Sequence, residues 1–192
     1  MRFFFTQDYR RTYRFFSSEP VQNIQVKLTR PEELWIKAKK KLMLLPKRIM
    51  AQEQAFSRVR KLEEETILIH HSGRLTEKKI KRRFFLFIQK QRTKHTILLI
   101  GESILLPVTG LMALLPGPNI FFGVLALVMI THWQALKGIN RLSRKSPRFI
   151  AAPPFQEWEI AVDAKEETDY PPILAKIEKE YDLEDLNKVL YK

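Results

Sequence analysis

Glu102 is the ionisable side chain whose setting bears most directly on chemistry. It stands six residues after Thr96 in an apolar stretch, residues 96–136, that reads TILLIGESILLPVTGLMALLPGPNIFFGVLALVMITHWQAL, about 9 Å along a helix. An ionisable group inside such a segment is a functional candidate by default, because its charge is costly to bury. Burial raises a carboxyl pKa toward neutrality, which suits reversible proton binding. The plainer alternative keeps Glu102 shallow, reaching water or paired with Arg92, Lys94 or His132. If the two halves of the stretch fold back on each other, His132 comes near Glu102. These two are the proton-coupling candidates, with His132 expected as a neutral imidazole.

Other polar groups point to structure. Asn119 could lend a carbonyl oxygen to a cation, but turn formation is its commoner use. Thr109 and Thr131 suit helix packing, and His70 and His71 lack partners at metal-ligand spacing. There is no cysteine, and no G-x-S-x-G, P-loop or G-x-G-x-x-G motif. No enzymatic activity, cofactor or metal is expected, and thiol chemistry is excluded.

The elements that would position Glu102 are two apolar runs and a turn. Ile97 to Leu115 is 19 residues and Ile120 to Leu136 is 17, roughly 28 and 25 Å as helices, against a hydrocarbon core of about 30 Å. Neither run has the polar face of a soluble helix. The pair therefore predicts a helical membrane hairpin, spanning or re-entrant. Pro116 and Pro118 lack N–H groups and push their predecessors out of the α region, and Gly117 and Asn119 tolerate turn geometry. Pro107 lies inside the first run, where it should kink or end the helix, with the hydroxyls of Ser103 and Thr109 nearby.

The flanks are basic. Lys78, Lys79, Lys81, Arg82, Arg83, Lys90, Arg92 and Lys94 precede the runs, Lys137, Arg141, Arg144, Lys145 and Arg148 follow, and the turn carries no charge. The positive-inside rule places both termini on the cytoplasmic or matrix side of a bacterial or mitochondrial inner membrane, with Trp133 and His132 near the interface. Residues 1–149 hold 29 Lys and Arg against 10 Asp and Glu, a net +19, whereas residues 150–192 hold 5 against 11, a net −6. Beside membrane segments, the partner for the basic part is the bilayer itself, through anionic lipid. Zinc spacing, RNP-type aromatics and a helix-turn-helix pattern are all missing, which argues against nucleic acid.

Elsewhere the patterning is helical with a few short strands. Pro31 to Glu65 reads as helix, divided by Pro46, with Thr29 as a cap and an apolar series at Trp35, Ala38, Leu42, Leu45, Ile49, Phe56 and Val59, broken at Gln52. Its basic face (Lys37, Lys40, Lys41, Lys47, Arg48) fits packing within the domain or lying on a membrane. Thr66 to His71 has the β-branched content of a strand, ended by Gly73. Phe3–Phe5, Ile24–Leu28 and Trp158–Val162 are weaker strand candidates. The first twenty residues, MRFFFTQDYRRTYRFFSSEP, fit a transit peptide or, slightly better, a short strand followed by a helical turn. From Thr76, Ile80, Phe84, Phe87 and Ile88 mark one face of a helix that meets no breaker before Pro107. Pro147 to Pro154 reads as a linker, and Pro172 to Tyr191 as one or two short helices that cap the domain or dock a partner.

The hairpin carries a resemblance. Leu106-Pro107, Leu115-Pro116-Gly117-Pro118-Asn119, Phe121-Phe122 and His132-Trp133-Gln134-Ala135-Leu136-Lys137-Gly138 resemble the mitochondrial K+–H+ exchange-related family, most strongly over residues 95–142. The resemblance implies an inner-membrane protein linked to potassium–proton exchange, as a subunit, regulator or assembly factor. That family often has a polar or basic residue ahead of the His-Trp pair. Here residues 126–130 are all apolar, which weakens the case for an ion path lined by this hairpin.

The expected architecture is mainly α with a small β component: a helical membrane hairpin attached to a basic amphipathic-helix domain. Its parts are a basic domain at 1–95 on the cytoplasmic or matrix side, the hairpin at 96–136, a basic Pro-containing linker at 137–154 and an acidic helical tail at 155–192. The expected function is an accessory role in potassium/proton exchange or cation homeostasis. A membrane-anchored scaffold, with basic helices on lipid and the acidic tail recruiting a partner, is the alternative. Two helices cannot enclose a pathway, so transport would require a homo- or hetero-oligomer.

Overall fold

A computed structural model describes residues 2–19, 47–62, 66–111, 120–145 and 147–191. The protein is mainly helical, with a small four-stranded sheet. Strand β1 (Phe3–Gln7) pairs antiparallel with β2 (Tyr13–Ser17) and parallel with β3 (Leu68–His71), and β3 pairs parallel with β4 (Arg148–Ala151), giving the order β2-β1-β3-β4. The helices are α1 (Lys47–Lys61), α2 (Glu77–Leu111), α3 (Ile120–Arg144), α4 (Pro153–Ala164), α5 (Tyr170–Tyr181) and α6 (Leu186–Leu190).

The three consecutive phenylalanines of β1 explain the layering. Side chains alternate across a strand, and here both faces are buried. Phe3 and Phe5 join Phe15, Phe56, Ile69, Ile80, Phe84 and Ile139 in one core, whereas Phe4 joins Phe16, Phe155, Trp158, Leu174 and Ile177 in the other. Helices α1–α3 cover the first face and α4–α6 the second. A parallel pair needs a crossover: the β3–β4 crossover runs through α2 and α3.

The strands at Phe3–Phe5 and within Thr66–His71 lie where the sequence placed them. Three expectations need correction. The helical turn expected after β1 is strand β2, entered through a turn that Asp8 ties with its Oδ1, which accepts from the Arg10 and Thr12 N–H groups at 2.9 Å each. Residues 137–154 are not a linker: they hold the last turns of α3, then β4, whose pairing with β3 makes the Pro-flanked segment extended. The strand candidate Trp158–Val162 is part of α4. Pro153 and Pro154 occupy its first positions, where missing N–H groups cost nothing, and Lys165 ends it in the left-handed region at φ 61°.

The acidic tail packs as a cap, with the apolar side chains of α4–α6 in the core. Of the long N-terminal helical reading, the described part is α1, whose Ala51, Ala55, Phe56 and Val59 are buried in the domain. Ile24–Leu28 and Pro31–Pro46 fall outside the described residues, as does the Pro116-Gly117-Pro118-Asn119 turn.

Helix α2 is one helix from Glu77 to Leu111 and continues past Pro107 rather than ending there. Ser103 Oγ donates to the Leu99 carbonyl at 2.7 Å, and Thr109 Oγ1 to that of Leu106 at 3.1 Å. Among the described residues no helix is long and apolar enough to cross a membrane. The expectation of spanning helices therefore has no support in the described residues, although the helical pair itself is there.

Candidate functional site

Where α1, α2 and α3 meet, the helices bury a group of ionisable side chains. His95 and Glu102 are seven residues apart on α2, two turns, and so share a face. Glu53 comes from α1 and His132 from α3. All but His132 are buried, and His95 is 0% exposed.

Two pairs make up the group. His132 Nδ1 lies 2.6 Å from Glu102 Oε1, a short hydrogen bond. An ionised carboxylate only accepts, so with Glu102 ionised the proton of this bond belongs to Nδ1. In the second pair, His95 Nε2 lies 3.4 Å from Glu53 Oε1. The two imidazole rings meet edge to face, with centroids 5.4 Å apart at 64°.

The pairs differ in how well their polar atoms are satisfied. Glu102 holds its partner through Oε1, while its Oε2 has no hydrogen-bonding partner among the described residues. In the second pair neither nitrogen of His95 and not Oε2 of Glu53 has a hydrogen-bonding partner among the described residues. Burial pushes the Glu53 carboxyl up to about 7, against the pull of the Lys94 charge. It pushes the His95 imidazole down to about 4, helped by His132 and Lys94. Both shifts favour the uncharged form, as desolvation requires.

The surrounding helices are fastened at close range. Ser57 Oγ donates to Gln134 Oε1 at 3.0 Å, and Arg141 Nη1 to the Arg60 carbonyl at 3.1 Å. Gly138 of α3 lies so close to α1 that a Cβ there would sit 1.8 Å from the Phe56 carbonyl oxygen. From Ile97 onward the opposite side of α2 is apolar and exposed, alongside the group and beyond it: Ile97, Ile100, Ile104, Leu105, Val108 and Leu111 all face outward, Ile104 at 68%. On α3, Trp133 is half-exposed and Lys137 Nζ sits over its ring at 3.6 Å, a cation–π contact.

Sequence reasoning brought Glu102 and His132 together correctly, and the partner of Glu102 is His132 rather than Arg92 or Lys94. The basic residues Lys78, Lys79, Lys81, Arg82, Arg83, Lys90, Arg92 and Lys94 are exposed along α2, as is Lys137 on α3, whereas Arg141 is half-buried. His71 accepts from the Gly73 N–H through Nδ1 at 3.0 Å, and His70 packs against Phe4, both structural uses. Glu53 and His95 were missed. His95 precedes the apolar run by two residues and Glu102 by seven, a spacing that could have flagged it. Glu53 follows the polar break at Gln52, which is itself buried.

A second buried carboxylate, Glu159 of α4, is fully engaged: Oε1 accepts from Thr6 Oγ1 at 2.9 Å and the Gln7 N–H at 3.3 Å, and Oε2 from Ser72 Oγ at 2.6 Å. It joins α4 to the sheet and has the signature of a structural group.

Residues 18–145 match the model of a family described as mitochondrial K+-H+ exchange-related. No curated protein and no solved structure matches the chain.

Proposed function

The chain belongs to the mitochondrial K+-H+ exchange-related family, and from that membership we propose an accessory, non-enzymatic role in potassium–proton exchange at a mitochondrial inner membrane. The exposed apolar end of α2 and the facing part of α3 lodge in the bilayer as a wedge. The basic residues that precede and follow it lie against anionic headgroups, and both termini stay on the matrix side.

The observation that carries this reading is the exposed apolar surface of the helical pair alongside and beyond a buried acid–imidazole group. Large contiguous apolar patches on soluble monomers are rare and mark interaction surfaces. Exposed Ile and Leu side chains on consecutive turns of α2 fit a lipid environment. The Trp133–Lys137 stack suits the boundary, where an amphipathic ring and a snorkelling cation both find their place. The Glu102–His132 pair then lies near that boundary, with proton-binding groups within reach of the matrix side. A chain with two such helices takes part in ion movement only in an oligomer or beside a partner.

The test is flotation of the purified full chain with liposomes at alkaline pH, followed by potassium-driven proton flux in the same vesicles. Insertion without flux is the expected accessory outcome. Flux that Glu102→Gln abolishes would make the chain the exchanger itself, and failure to float would remove the membrane reading altogether.

A further inference from the structure

We propose that Glu53, paired with the buried imidazole of His95, is the side chain by which this protein takes up and releases a proton, and that Glu102–His132 is the fixed pair beside it. The inference deepens the functional reading above and rests on it only for the purpose the proton serves.

The geometry separates the two carboxyls. Glu102 meets His132 at 2.6 Å, a short hydrogen bond that fixes the two side chains against each other. Among the described residues Glu53 has no such partner. It faces His95 Nε2 at 3.4 Å, too far for a close pair, and neither nitrogen of His95 has a hydrogen-bonding partner there, whereas the unpaired Oε2 is common to both carboxyls. A buried charge without a hydrogen-bonded counter-charge is costly, and the remedy in proteins is a change of protonation. The charged and titratable groups facing the pair are Lys94 of α2, which acts on both Glu53 and His95, and His132 of α3, whose ring meets that of His95. Lys94 is exposed to solvent, so its charge is screened and stabilises a Glu53 carboxylate only in part.

The step is a simple proton exchange with the medium. In the protonated state the Glu53 O–H faces Nε2 of His95 as donor to acceptor, and the imidazole carries its hydrogen on Nδ1. When the proton leaves, Glu53 can only accept. His95 then moves its hydrogen from Nδ1 to Nε2 and donates to the carboxylate, remaining neutral throughout. One O–H bond is broken, a single proton goes to water, and the imidazole exchanges one tautomer for the other. Burial supports this order of events, because it raises the carboxyl to about 7 and lowers the imidazole to about 4.

The test is nuclear magnetic resonance of the full chain in lipid nanodiscs, with carboxyl 13C and imidazole 15N labels, between pH 4 and 9. One glutamate should titrate near neutrality. In step with it, the His95 nitrogens should exchange their protonated and bare signatures with no sign of imidazolium. Glu53→Gln, which keeps shape and neutrality, should abolish both changes, and Glu102→Gln should leave both in place. A Glu53 that titrates near the ordinary value of about 4.3 would overturn the proposal, and that outcome needs no variant. A near-neutral titration that survives in Glu53→Gln and is lost in Glu102→Gln would overturn it too. Flotation of the same preparation keeps the outcomes separate: a chain that inserts but lacks the Glu53 event refutes this inference alone, and one that has the event but does not insert refutes the membrane reading alone.

Discussion

Removing Glu53 should expose a pH dependence of stability that the intact protein hides. In the unfolded chain Glu53 loses its proton near 4.5, but in the folded protein it keeps it until about 7. Between those values folding takes up a proton, so stability falls as pH rises. His95 behaves in the opposite sense. Unfolded, it holds a proton up to 6.5, whereas folded it does so only below about 4, so stability grows as pH rises through that window. Each proton is worth about 1.4 kcal/mol per pH unit, which makes each effect about 3 kcal/mol. Both side chains are buried, so solvent does little to weaken either. The windows overlap from 4.5 to 6.5, where the slopes cancel. Glu53→Gln leaves His95 unopposed: relative to wild type, its stability should rise by about 3 kcal/mol between pH 4.5 and 7, the window of the titration it removes. His95→Gln should lose about the same amount relative to wild type between pH 4 and 6.5. The assay is urea unfolding in non-ionic detergent, followed by circular dichroism at half-unit pH steps, reading the difference from wild type at each pH. A Glu53→Gln difference that stays level from pH 4.5 to 7 would refute the reasoning.

Further expectations concern packing and lipid. Gly138→Ala gains about 1 kcal/mol of helix propensity, yet its Cβ meets the Phe56 backbone at 1.8 Å. The clash should win by about 3 kcal/mol, visible as a lower urea midpoint, and a stabilised variant would show that α1 and α3 can move apart at little cost. Glu159→Ala strands the Thr6, Gln7 and Ser72 donors and should cost about 3 kcal/mol, with Glu159→Gln milder because it keeps one acceptor oxygen; equal thermal melting of both variants would contradict this. Ile104→Lys combined with Leu111→Lys should sharply reduce flotation with liposomes while leaving the circular dichroism of the folded domain unchanged. Unaltered flotation would mean that this end of α2 is not the part in lipid.

Local pattern carried some elements and failed where pairing is decided at a distance. Phe3–Phe5 and Ile67–His71 were legible because β-branched and aromatic side chains in short runs favour a pleated, buried strand. The long α2 was legible because Ile80, Phe84 and Ile88 repeat at helical spacing. The segment Arg148–Ala151 lies between prolines and carries no strong pattern of its own; only its partner β3 makes it a strand. Trp158–Val162 misled through Ile160 and Val162, while its buried set, Phe155, Trp158, Ala161 and Val162, follows the helical period. At the candidate site, Glu102 was conspicuous because it interrupts an apolar run. Glu53 sits in the polar string Gln52-Glu53-Gln54 of a basic helix and looks solvated. Its importance arises from the crossing of α1 with α2 and α3, which no window of sequence contains.

The continuity of α2 has a mechanical consequence. Its 35 residues form one element without a break, about 52 Å long. Phe84, packed against the sheet, and Ile104, on the exposed apolar end, are 20 residues apart on it, about 30 Å. The helix is therefore a shaft with the sheet fixed to one end and the apolar tip to the other. Whatever holds the tip thereby sets the height and inclination of the sheet. If the tip enters a bilayer as proposed, distances from several spin labels on the sheet to the lipid would together orient the whole domain.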